Sequence, residues 1–237
     1  SAQDFSSIFF TAFAFIMILY MTVLLYGQGI GRSVLQEKTQ KTVEILLSSV
    51  KPNHLLMGKI LGMTAAGLLQ YAVWISMAGI ALTLAQPIFG VSVPIQLSYV
   101  NLIWLLVFFV LGFLVFASAY AALGAASQDE QNLGQLSWPI MLFLIIPIVM
   151  SSGIIMNPES TVAIGMSLFP LTAPIIMFAR ILVGAPAVWE IALSIGLLAA
   201  TAFGISYLSA KIFRVGLLMS GKKTSIQEVV KWLSFKA

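Results

Sequence analysis

Few side chains in this sequence could do chemistry, and about a third of the charged ones stand in one stretch. Between Gly31 and Lys59 the chain reads GRSVLQEKTQKTVEILLSSVKPNHLLMGK. It carries Arg32, Glu37, Lys38, Lys41, Glu44, Lys51 and Lys59, seven of the twenty charged residues among 237. The only histidine, His54, belongs to the same stretch and reads as a solvated side chain. Cysteine is absent, which excludes disulfides and thiolate metal sites. Serines are frequent, but no base accompanies them in the apolar segments, so nucleophilic catalysis lacks its activating partner. The run Gly216 to Lys222 matches G-x-x-x-x-G-K. It is followed by Lys223, where a phosphate loop needs a magnesium-binding hydroxyl, and it follows an apolar helix instead of a strand. No catalytic, cofactor or metal site is assigned, and the chain is not read as an enzyme.

The elements that must position these residues are membrane helices. The composition is 60% hydrophobic and 8% charged, against about 25% charged in soluble domains. About 20 apolar residues cross the hydrocarbon core, and five segments qualify: residues 5–26, 55–85, 99–126, 136–156 and 187–213. Residues 161–185, broken by Pro170 and Pro174, read as an outer re-entrant or interfacial helical hairpin. The expectation is an all-α polytopic membrane protein with a single transmembrane domain over residues 1–237.

Lysine and arginine set the orientation. Eleven of them lie in the loop after the first span or in the tail 214–237 and its flank, and only Arg180 lies on the other side. The loop and the C-terminus are therefore expected in the cytoplasm, in a multi-pass protein of the cell membrane. Ser1 then starts outside, which suggests an upstream span. The net charge of +4 sits beside spans, and no nucleic-acid partner is expected.

Residues 32–50 plotted as a helix place Glu37, Lys41, Glu44 and Ser48 on one face. Leu35, Thr39, Thr42, Val43, Leu46 and Val50 fall on the other, an amphipathic pattern. The pattern alone leaves two readings: an interfacial helix with solvated charges, or a docking helix for a cytoplasmic partner. Asn53 can cap the next helix, and Lys59 can snorkel. From Ile60 through Gln128 there is no charged residue, so the intramembrane groups that ion-coupled pumps use are missing there. Gln70, mid-span, is either an interhelical hydrogen-bonding residue or a candidate lining of a transport path. Ala117, Ala121, Gly124 and Ala125, with Gly58 and Gly62, form small-residue faces suited to close helix packing. Asp129 and Glu130 read as an acidic loop. Glu190 sits in a first helical turn and could pair with Arg180 as a candidate outer gate. In the tail, Thr224 or Ser225 can cap a short interfacial helix.

Three stretches carry a family likeness. Residues 36–62, with Glu37, Lys38, Thr42, Glu44, Leu46, Gly58 and Lys59, resemble the cytoplasmic segment of ABC-2 type exporter permeases, in particular the sodium-efflux-permease-like branch. Residues 169–190 resemble that branch's outer hairpin, and residues 213–233 its C-terminal end. The resemblance implies six spans with an extracellular domain between the first two, of which this chain holds the later part. It implies a second permease half, identical or not, and a separate cytoplasmic ABC ATPase subunit that binds ATP and magnesium. It also implies that the helix after the family's second span docks into that ATPase, here through Glu37, Lys38, Lys41, Glu44 and Ser48. The resulting expectation is the membrane subunit of an exporter. A non-transporting anchor or sensor is the alternative, and sodium, drugs, peptides or lipid-like molecules are candidate substrates.

Overall fold

The computed structural model describes residues 2–40, 45, 48–89, 99–184, 186–218 and 225–232. Among these the chain is all helical. The helices are α1 (Ala2–Thr39), α2 (Pro52–Phe89), α3 (Tyr99–Ala126), α4 (Glu130–Met156), α5 (Thr161–Leu168), α6 (Ala173–Leu182), α7 (Val188–Leu218) and α8 (Ile226–Trp232). Five of them, α1 to α4 and α7, are long and apolar enough to cross a membrane.

Helix α1 departs from the expected separation of a span (5–26) and a second helix (32–50). It runs unbroken through Thr39. Its 38 residues make a rod of about 57 Å, nearly twice the roughly 30 Å hydrocarbon thickness. No proline interrupts residues 2–51. The glycines at 27 and 31 stay helical because α3 packs directly on them: a β-carbon on Gly27 would meet the Tyr120 ring at 2.9 Å. Residues 41–44 and 46–47 lie outside the described residues, and with them Lys41 and Glu44.

Local capping chemistry sets the other ends. Helix α2 starts at Pro52, and the Lys51 carbonyl accepts from His54 N at 3.0 Å. Proline suits the first helical position because its missing N–H is unsatisfied there in any residue. Asn53 is therefore inside the first turn and is not the cap. Asp129, expected in an acidic loop, is the N-cap of α4, accepting from Asn132 N at 2.7 Å, so Glu130 opens the helix. Ser225 and Glu228 cap α8 reciprocally, at 3.4 and 3.3 Å, in the arrangement of a capping box.

Helix α3 is the hub, packed mainly on α7 and α1. Ala117, Ala121 and Ala125 are fully buried, and Gly124 lies on Gly31. A β-carbon on Gly124 would stand 2.3 Å from the Gly31 carbonyl oxygen, and one on Gly216 of α7 would stand 2.7 Å from the Ala125 carbonyl. Three backbones thus meet at the basic end of the bundle, which is possible only without side chains. Gly58 and Gly62 do not share this role. Both are exposed on α2, with open space where a β-carbon would stand.

Helices α5 and α6 form a re-entrant pair at the opposite end. Pro174, at the start of α6, reaches Gly112 near the middle of α3, where a β-carbon would meet its ring at 2.8 Å. Leu182, at the other end of α6, lies with Ile8, Thr11 and Asn101 at the bundle's edge. All of Ala173–Arg180 is buried, so this backbone dips into the bundle only where protein surrounds it. Gly184, with φ of 73°, turns the chain out of α6.

Candidate functional site

The charged island does not stand apart from the bundle. The Lys38 side chain, expected on a docking face, is turned inward and only 8% exposed. Its ammonium donates to the Ala125 carbonyl at 2.7 Å and to the Ser127 carbonyl at 3.1 Å. The last carbonyls of a helix have no intrahelical partner, and a cation there also meets the negative end of the helix dipole. Lys38 thus caps α3 from α1. The helical register that continues from the span forces this, because Lys38 falls two turns below Gly31, on the side that faces α3.

Glu37 lies beside it and bridges to α2. Lys59 Nζ is 2.6 Å from Glu37 Oε1 and donates to Ser33 Oγ at 2.8 Å. The pair is partly exposed, where a single ion pair contributes about 0.2–1 kcal/mol. Its effect is to fix how α2 leaves the loop. Ser48 is exposed, with its hydroxyl donating to the Ile45 carbonyl at 2.6 Å. Of the five residues expected to dock a partner, the structure thus engages Glu37 and Lys38 within the chain, leaves Ser48 on the surface, and does not describe Lys41 and Glu44.

Gln70 is half-buried and its Oε1 accepts from the Tyr26 hydroxyl, joining α1 to α2. That is the interhelical hydrogen bond among the two readings of this residue.

Arg180 and Glu190 come together. Arg180 is 1% exposed, the largest fully buried side chain among the described residues. Its Nε donates to the Pro158 carbonyl and its Nη1 to Ser167 Oγ, both at 2.8 Å. The same Nη1 is 2.6 Å from Glu190 Oε2. The approach is an ion pair without hydrogen-bond alignment, and Oε2 takes no hydrogen bond. Ser194 of α7 donates to the Ser167 carbonyl at 2.8 Å. One guanidinium therefore ties α6 to the α4–α5 turn, to α5 and to the start of α7. Arginine suits this because its planar fork donates in several directions at once. The sequence pointed to the two charges, but Pro158, Ser167 and Ser194 carried no signal, since a backbone carbonyl and a helical serine look alike everywhere.

The near-match to a phosphate loop is not a loop at its start. Gly216 is helical and pressed on Ala125, while residues 219–224 lie outside the described residues.

Comparison with known proteins agrees with this architecture. Residues 2–211 match the family model described as ABC-2 family transporter protein. An uncharacterized protein of Methanocaldococcus jannaschii is 31% identical over 217 residues, covering 92% of this chain and 52% of that protein. The uncharacterized protein YhaP of Bacillus subtilis is 25% identical over 220 residues, covering 90% of this chain and 52% of YhaP. The chain thus spans about half the length of these curated relatives. No solved structure matches. With five candidate spans, a re-entrant helical pair and a family match over nearly its whole length, the chain belongs to the ABC-2 transporter family.

Proposed function

We propose that this chain is the membrane-spanning permease portion of an ATP-driven exporter, powered by a separate ABC ATPase that docks between α1 and α2. Membership of the ABC-2 family supports the permease reading. The observation that carries the docking site is the continuity of α1. A single rod begins beside the re-entrant hairpin, where Phe15 packs edge-on against Phe178 of α6. It ends at the charged island, where Lys38 and Glu37 clamp it to α3 and α2. A push on the end of α1 near Thr39 would reach the far side of the bundle along one continuous helix. The loop's basic residues favour the cytoplasmic side, where such an ATPase would hold ATP and magnesium. Substrate would leave between this half and a second permease half, with the Arg180–Glu190 pair as a latch at the outer end. Lys38 acts inside the chain in this scheme, and the contact with the ATPase falls to Glu37, Lys41, Glu44 and Ser48.

The test is co-purification and transport. The complete permease with Glu44→Lys, expressed with its ATPase, should lose most co-purifying ATPase and ATP-dependent transport while keeping its own fold. Full co-purification with undiminished transport would overturn the docking assignment. A wild-type pair that hydrolyses ATP without moving any solute would favour the anchor or sensor role instead.

A further inference from the structure

A cleft of about 220 Å³ opens at the basic end between α1, α3 and α4, apart from the loop and from the Arg180 cluster. One water needs only about 10–15 Å³ of such space, so a polar group of several heavy atoms fits. Arg32 and Glu130 are exposed at its rim, and Gln28, Tyr120 and Ser137 line its wall. Tyr120 is 1% exposed, and its hydroxyl faces the Gln28 side chain. The Gln28 amide also meets the Met141 sulfur, at 3.9 Å.

Polarity grades in one direction along both walls. On α1 the order from the basic end inward is Arg32, Gln28, Leu25 and Met21, spaced three or four residues apart on one face. Leu25 and Met21 are 60% and 41% exposed. On α4, which runs the other way, the order is Glu130, Gly134, Ser137 and Met141. Trp138, 58% exposed, stands on the neighbouring face, and tryptophan favours the membrane interface. Ions at the mouth, then amide and hydroxyl groups, then thioether and aliphatic groups is the order of polarity along a lipid, from head to glycerol to chain.

We infer that this cleft binds the head of a zwitterionic phospholipid. Arg32 would meet the phosphate and Glu130 the amine. Tyr120, Gln28 and Ser137 would serve the glycerol ester oxygens, and the chains would lie along Leu25 and Met21. Two charges of opposite sign at the rim select a head that carries both. The inference does not depend on transport or on an ATPase partner.

The experiment is lipid retention on the purified full-length permease, read by native mass spectrometry. The probes are phosphatidylethanolamine, phosphatidylglycerol and free phosphoethanolamine. Phosphatidylethanolamine should be retained about tenfold better than phosphatidylglycerol, on the scale of one hydrogen bond to a charged group. Free phosphoethanolamine should not displace it. Gly134→Phe should lower that retention about tenfold, because Gly134 is exposed and a β-carbon there meets nothing within 4 Å, so a ring can fill the cleft without a clash. Glu130→Gln should abolish the preference between the two lipids, and Arg32→Gln should weaken both. These two rim variants decide the matter if Gly134→Phe fails to fold. Equal retention of the two lipids by the wild type, or undiminished preference in Glu130→Gln, would overturn the assignment. Efficient displacement by free phosphoethanolamine would overturn the lipid and point to a soluble zwitterion.

Discussion

Replacing Arg180 with leucine tests most sharply the reasoning about the end of the bundle opposite the charged island. The change deletes hydrogen bonds to the Pro158 carbonyl and Ser167 Oγ and leaves Glu190, with its side chain 12% exposed, without its cation. Removing one partner of a buried ion pair costs about 3–5 kcal/mol, because the remaining charge stays desolvated. At about 2–4 °C per kcal/mol for a chain of this size, the expected drop in Tm is roughly 6–20 °C. Arg180→Lys should fall between, since an ammonium keeps the charge but lacks the planar fork. The double variant Arg180→Leu/Glu190→Leu should be more stable than Arg180→Leu alone, because it removes the orphaned carboxylate together with its partner. The assay is thermal unfolding of the detergent-solubilised protein, followed by tryptophan fluorescence. A loss below about 1 kcal/mol for Arg180→Leu, the typical size of an exposed pair, would refute the reasoning. So would a double variant no more stable than the single one.

Three further outcomes concern close backbone packing and the capping of α3. Gly124→Ala should lower stability by about 1–3 kcal/mol through overpacking, since its β-carbon would stand 2.3 Å from the Gly31 carbonyl oxygen. Gly165→Ala, facing open space, should stay within about 0.5 kcal/mol in the same unfolding assay. Lys38→Met should cost about 1–3 kcal/mol by uncapping the Ala125 and Ser127 carbonyls. Its specific mark is faster amide exchange around the α3–α4 turn, read by hydrogen–deuterium exchange, and unchanged exchange there would contradict the capping role.

Much of the fold is legible in the residues taken a few at a time. Membrane class, five spans and the re-entrant stretch follow from composition, run length and the prolines at 170 and 174, because the bilayer demands long apolar helices. Helix ends also follow from near neighbours. Ser225 as a cap and Pro52 as a helix opener depend on residues within one turn, although the preference for Asn53 as the cap overlooked that proline already occupies the first position. The break expected between the first span and residue 32 was misplaced because glycines and charges suggest a boundary, whereas nothing in them stops a helix that has a neighbour to lean on.

Sequence alone determined that charge gathers at residues 31–59 and at Arg180 and Glu190. Tertiary structure decided what those charges touch. Lys38 bonds carbonyls 87 and 89 residues away, Glu37 pairs with a lysine 22 residues on, and Gly31 meets Gly124. The physical reason lies in the rotation of each helix about its axis. In a soluble helix the apolar stripe reveals that rotation. In lipid both faces of α2 and α3 are apolar, and the driving force is close packing of small residues and a few hydrogen bonds. The pattern therefore shows that these helices exist and cross, but only the packed bundle shows which side of α1 faces α3, and with it that Lys38 caps a helix end rather than facing outward.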